Sequence, residues 1–160
     1  MLHQYRITKY DPKFRDDRGA YTKGDWTSFS DVGGKFGGVI LSKEEYLHTE
    51  SAYIGVAMRF LLEDHVPALY ARDVENRFNS GHAPAKGSLI PNNHLPAICR
   101  AVLREEFWCK LEAGGRFLHF GYDYYMYIGV KRRCEASIEA AHKLGLYVEQ
   151  FDSPHLENRN

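Results

Sequence analysis

Residues 119–130 read HFGYDYYMYIGV. If this run is one extended strand, its side chains alternate between two faces. His119, Asp123, Tyr125 and Tyr127 then share a face with Gly121, and Leu118, Phe120, Tyr122, Tyr124, Met126 and Ile128 share the other. The first set offers an imidazole, a carboxylate and two phenols beside a residue with no side chain, which is the composition of a binding or acid–base surface. The second set reads as core. Against the chemical reading, aromatics are favoured in strands for packing alone, and Asp123 is a good turn residue. On a flat strand the Cα atoms of residues 119 and 123 lie about 13 Å apart. Direct acid–base pairing of His119 with Asp123 therefore requires the chain to turn between them, and a turn or bulge at 121–123 resets the register.

A second polar-aromatic group is DWTSFSD, residues 25–31, with Ser28 and Asp31 beside Trp26. Short polar side chains here either satisfy local backbone groups or, with the loop folded over the sheet, approach His119. The run GGKFGG at 33–38 is no phosphate loop, because Phe36 follows Lys35 where GxxxxGK[ST] requires a hydroxyl. No dinucleotide fingerprint or G-x-S-x-G elbow is present either. The 8 histidines are scattered without an HExxH or a helical ligand pair, and the 3 cysteines show no CxxC spacing. No cofactor and no metal is expected from these patterns.

The elements that must position these groups follow from periodicity. Residues 3–9 alternate as an opening strand, followed by a long turn-rich stretch over 11–38 whose aromatics argue for packing onto the core. Ser42 and Glu45 match a capping box, and Tyr46, Tyr53, Ile54, Ala57, Leu61 and their neighbours recur at three- and four-residue steps, predicting a helix to about residue 64. A strand at 68–74, an exposed loop, and a helix from Asn93 to about Arg104 come next. Strands around Gly114-Gly115, the strand DYYMYIGV, a helix over 134–144 ended by Gly145, and a last strand LYVEQF complete the order β-α-β-α-β-β-β-α-β. The expectation is one α+β domain over residues 1–160 with a mixed or mainly antiparallel sheet and about three helices.

Composition narrows the function. In 160 residues, 21 Lys and Arg balance 21 Asp and Glu, which removes the broad positive field that nucleic-acid binding uses. No stretch approaches the roughly 20 apolar residues of a membrane span, and no signal-peptide pattern follows Met1. Reduced thiols and a cytoplasmic location fit the cysteine usage.

The phrases YRITKYDP, DWTSFSD, FWCKLE, HFGYDYYMYIGV and VEQFDSP together resemble a group of small uncharacterised bacterial cytosolic proteins, over nearly the whole chain except about 76–92. The resemblance implies a bacterial cytosolic setting and carries no activity. The expected function is a non-enzymatic protein-binding module, of the immunity-protein kind that neutralises a bacterial toxin, contacting another protein through Trp26, Ser28, Asp31, His119, Asp123, Tyr125 and Tyr127. The alternative is a small enzyme acting on a polar or nucleotide-like substrate, with His119 as acid or base, Asp123 orienting it and a tyrosine as donor.

Overall fold

The computed structural model describes residues 1–157. Its chain runs β1 (His3–Thr8), two short strands β2 (Lys35–Phe36) and β3 (Val39–Ile40), α1 (Lys43–Glu63), β4 (Ala68–Glu75), β5 (Leu89–Pro91), α2 (Leu95–Leu103), β6 (Trp108–Ala113), β7 (Arg116–Phe120), β8 (Met126–Val130), α3 (Glu135–Lys143) and β9 (Tyr147–Gln150). Seven strands form one sheet in the order β5-β4-β6-β7-β8-β1-β9, and every described neighbour pair is antiparallel. β2 and β3 form a separate two-stranded hairpin. The α+β class, the three helices and the expected element order are therefore as read from the sequence. β2, β3 and β5 are additional, each too short to carry a periodic signal.

Two of the three helices start where a side chain satisfies free backbone N–H groups. Ser42 Oγ accepts the Glu45 amide at 3.1 Å and begins α1. The α2 helix opens after His94 without a side-chain cap, not at Asn93; Pro96 fills its first turn, where no N–H is needed. Glu63, at the end of α1, caps α3 by accepting the amides of Ala136 (3.4 Å) and Ser137 (2.9 Å). Asp64 beside it is buried and accepts the amides of Lys131 (3.0 Å) and Arg132 (2.9 Å) and the Arg116 guanidinium (2.7 Å). Burial alone would raise its pKa, but these donors outweigh it and hold the carboxyl below its ordinary value. The basic run 131–133 is thus a strand-to-helix connection, fastened by its backbone.

Core residues face the helices in alternation: Tyr5 and Ile7, Leu69 and Ala71, Cys109 and Leu111, Leu118 and Phe120, Met126, Ile128 and Val130. They pack against Tyr46, Tyr53, Phe60 and Leu61 of α1. The opposite face of the sheet is covered by residues 10–21 and by the segment after β9, whose side chains reach Tyr125, Tyr127 and His119.

Candidate functional site

The run 119–130 is two strands, not one. β7 and β8 pair with His119 opposite Tyr127 and Phe120 opposite Met126. Between them the chain reverses, with the Gly121 amide bound to the Tyr125 carbonyl at 2.8 Å. The two central residues, Asp123 (φ 61°) and Tyr124 (φ 68°), both lie in the left-handed region. A two-residue hairpin turn of this type (I′) needs two such residues and usually recruits Asn-Gly, so Asp-Tyr costs conformational energy that surrounding contacts must offset. Tyr124 is buried edge-on against Trp26 (5.0 Å) and Tyr53 (4.8 Å), and its hydroxyl donates to Tyr46 (2.8 Å). Tyr46 in turn donates to the buried Glu50 (2.7 Å), which Arg104 holds through two bonds of 2.9 Å. The Asp123 carbonyl accepts the Tyr10 hydroxyl at 2.6 Å.

The seven residues expected to contact a partner are consequently distributed over four places. Trp26 is buried on the helix side under the Lys9 ammonium (4.0 Å), which also lies over the Tyr10 ring (4.4 Å) and pairs with Asp25 (2.8 Å). Burial lowers the pKa of Lys9. Asp31 turns inward on its own loop and accepts the amides of Thr27 (2.8 Å) and Ser28 (3.2 Å), while Ser28 Oγ shares a hydrogen bond with Ser30. This is the local-turn role, and it directs neither residue toward His119. Tyr125 and Tyr127 lie on the far face of the sheet with His119, as alternation demands. There Tyr125 accepts from Arg15 (2.8 Å), and Arg6 spans Glu149 with bonds of 3.1 and 3.0 Å. Asp123 alone of the seven is exposed and lines an open cleft.

His119 carries the arrangement closest to catalytic chemistry. Its Nδ1 faces Ser153 Oγ at 2.8 Å and its Nε2 faces Glu112 Oε1 at 2.8 Å, giving a serine, imidazole and carboxylate in series. A neutral ring with its proton on Nε2 satisfies both contacts, since the carboxylate only accepts. Burial pushes the imidazole down to about 3 and raises Glu112. The serine is nonetheless enclosed. Ser153 is 6% exposed and His119 0%, Ser153 Oγ also accepts the His155 amide (3.2 Å), and neither residue lines either of the two clefts that His155 borders. Phe117 stacks on the ring at 4.3 Å and 14°. The series therefore fastens the segment after β9 to the sheet.

The cleft itself is a feature that periodicity did not reveal. It has a volume of about 540 Å³ and lies where the end of β4, the turn after α2, the start of β6 and the β7–β8 turn meet. Phe107, Phe120 and Tyr124 form buried parts of its lining, Trp108 is half-buried with its indole N–H donating to the Phe120 carbonyl (2.8 Å), and Phe78 and Tyr122 stand exposed on its rim. Tyr122 belonged to the expected core set, and the reversal of the chain turns it out to solvent. Gly121 is the point where His155 comes close: a Cβ there would lie 3.5 Å from His155 Nε2 and 3.2 Å from the Tyr127 ring.

Among the described residues no group of His, Cys, Asp or Glu could hold a metal ion, and no helix is long and apolar enough to cross a membrane. Cys99, Cys109 and Cys134 are unpaired and buried, and burial pushes each thiol up to about 12. No family model, no curated protein and no solved structure matches the chain.

Proposed function

We propose that this chain is a non-enzymatic protein-binding module, of the kind exemplified by immunity proteins that neutralise a bacterial toxin, and that it binds through the rim of the cleft. The observation that carries the reading is the pair Phe78 and Tyr122, 76% and 88% exposed, flanking one concavity. Large rigid aromatics cost little entropy when they dock, and a protein gains nothing for its own stability by holding two of them in water beside an aromatic-lined cleft. The sequestered His119 supports the same reading by withholding the best acid–base group from any substrate. The resemblance carried by YRITKYDP, DWTSFSD and HFGYDYYMYIGV suggests a bacterial cytosolic setting for the partner.

The test is affinity capture from the producing cytosol with tagged wild-type protein beside a Phe78→Ala, Tyr122→Ala double variant. A stoichiometric protein retained by the wild type and lost from the variant supports the module. Retention of the same protein by both moves the contact surface elsewhere, and retention by neither refutes the reading. The serine–imidazole–carboxylate series favours a second reading, a small enzyme using His119. In that case His119→Gln abolishes turnover in a substrate screen.

A further inference from the structure

Charge and aromatic lining coincide in the cleft, and together they define what its occupant must present. Glu75, Glu105 and Asp123 line it with Arg77 as the only cationic side chain of that lining. None of these four forms an ion pair among the described residues, although elsewhere Arg6, Lys9, Lys110, Arg104 and Arg116 are all matched with carboxylates. The unmatched acidic charge therefore faces the same space as the aromatic rings. Trp108 spends its N–H on the Phe120 carbonyl, which fixes the ring and leaves it no donor for an anion. Aromatic faces beside carboxylates are the chemistry of cation recognition. A guanidinium is the better match than an ammonium, because it is planar, sheds water more readily, stacks on rings and engages carboxylates with two parallel bonds.

Resting on the protein-binding reading, we infer that the cleft receives an arginine side chain projected by the partner protein. Its guanidinium lies against the aromatic lining around Trp108 and Tyr122 and pairs with carboxylates among Glu75, Glu105 and Asp123. Phe78 and Tyr122 close over the aliphatic stem. The partner's contact surface is then basic, which the near-neutral chain as a whole would not suggest.

The experiment titrates the intact protein with N-acetyl-arginine amide, N-acetyl-lysine amide and the neutral isostere N-acetyl-citrulline amide, following the Trp108 indole N–H resonance, assigned with Trp108→Phe. A low-millimolar affinity is expected for the arginine probe, about tenfold weaker for citrulline and several-fold weaker for lysine. Glu75→Gln, Glu105→Gln and Asp123→Asn, all at exposed positions, are expected to weaken the arginine probe and to leave the thermal unfolding midpoint essentially unchanged. Equal binding of citrulline or lysine overturns the guanidinium assignment, and so does no shift with any probe. Partner capture separates this failure from failure of the parent reading. If capture still depends on Phe78 and Tyr122 but is indifferent to the three carboxylates, the binding module stands and the arginine does not.

Discussion

The hydrogen bonds from Tyr124 to Tyr46 to Glu50 have a direction that mutation can read. Arg104 holds Glu50 as a carboxylate with two bonds, so Glu50 can only accept; Tyr46 must donate to it and must therefore accept from Tyr124. Burial raises the pKa of both phenols, keeping them protonated as donors. Tyr124→Phe deletes the outer donor and leaves Tyr46 still bonded to Glu50, a loss of about 1 kcal/mol. Tyr46→Phe strands the buried Tyr124 hydroxyl without an acceptor and also takes a donor from a buried carboxylate, a loss of about 3 kcal/mol. In the double variant the stranded hydroxyl is gone, so its cost approaches about 2 kcal/mol rather than the additive 4. Urea unfolding of the four proteins at 25 °C measures the cycle. A coupling of about 2 kcal/mol, with Tyr46→Phe the worse single change, is expected. Additivity within about 0.5 kcal/mol, or a larger loss for Tyr124→Phe, refutes the assigned direction.

Three other outcomes follow from the geometry. Gly129→Ala would place a Cβ 2.2, 2.5 and 2.7 Å from atoms of the Phe117 ring, which is pinned against His119, so a loss of about 3 kcal/mol is expected by urea unfolding, partly rescued by Phe117→Leu. The His119 imidazole stays neutral when folded but binds a proton when unfolded below about 6.5, so stability falls as pH drops from 6.5 toward 3, by about 1.4 kcal/mol per unit. His119→Gln is expected to flatten that slope in unfolding measured at pH 7, 6 and 5, leaving the smaller same-direction contribution of His155. The three thiols, buried with pKa pushed up to about 12, are expected to resist a disulfide reagent at pH 8 and to react together on unfolding; rapid native labelling of any one would contradict its burial.

The alternation in 118–128 identified the correct faces for Leu118, His119, Phe120, Tyr124, Tyr125, Met126, Tyr127 and Ile128 even though the chain reverses in the middle. The reason is parity: His119 opposes Tyr127 and the Gly121 amide bonds the Tyr125 carbonyl, so the reversal preserves the odd–even pattern that a continuous strand would show. The separate strand DYYMYIGV was legible, but the two-residue turn at Asp123-Tyr124 was not, because the local signal for two left-handed residues is Asn-Gly. The α1 helix was legible from its serine cap and its spacing. The cleft was not, since residues near 75–78, 105–108, 120–124 and 155 meet only through tertiary packing, and no spacing along the chain encodes that. The aromatics of 11–38 argued for packing onto the core, and Trp26 does so; it was nonetheless an expected contact residue, because the neighbours that bury it, Tyr46, Tyr124 and Lys9, come from distant segments.

The strand order also sets a timetable for folding. β1 leaves the ribosome early, yet it lies between β8 and β9, which are synthesised far later, whereas β6, β7 and β8 are consecutive and joined by short turns. The local three-stranded meander can assemble at small entropic cost, while β1, carrying Tyr5 and Ile7, has no partner until β8 exists, and β9 joins its other edge last. Nucleation is therefore expected in the Trp108–Val130 segment and pairing of β1 late, an order checked by high φ-values in β6–β8 and low ones in β1. Until β1 pairs, β8 presents an uncovered strand edge, the kind of surface that templates pairing with another chain.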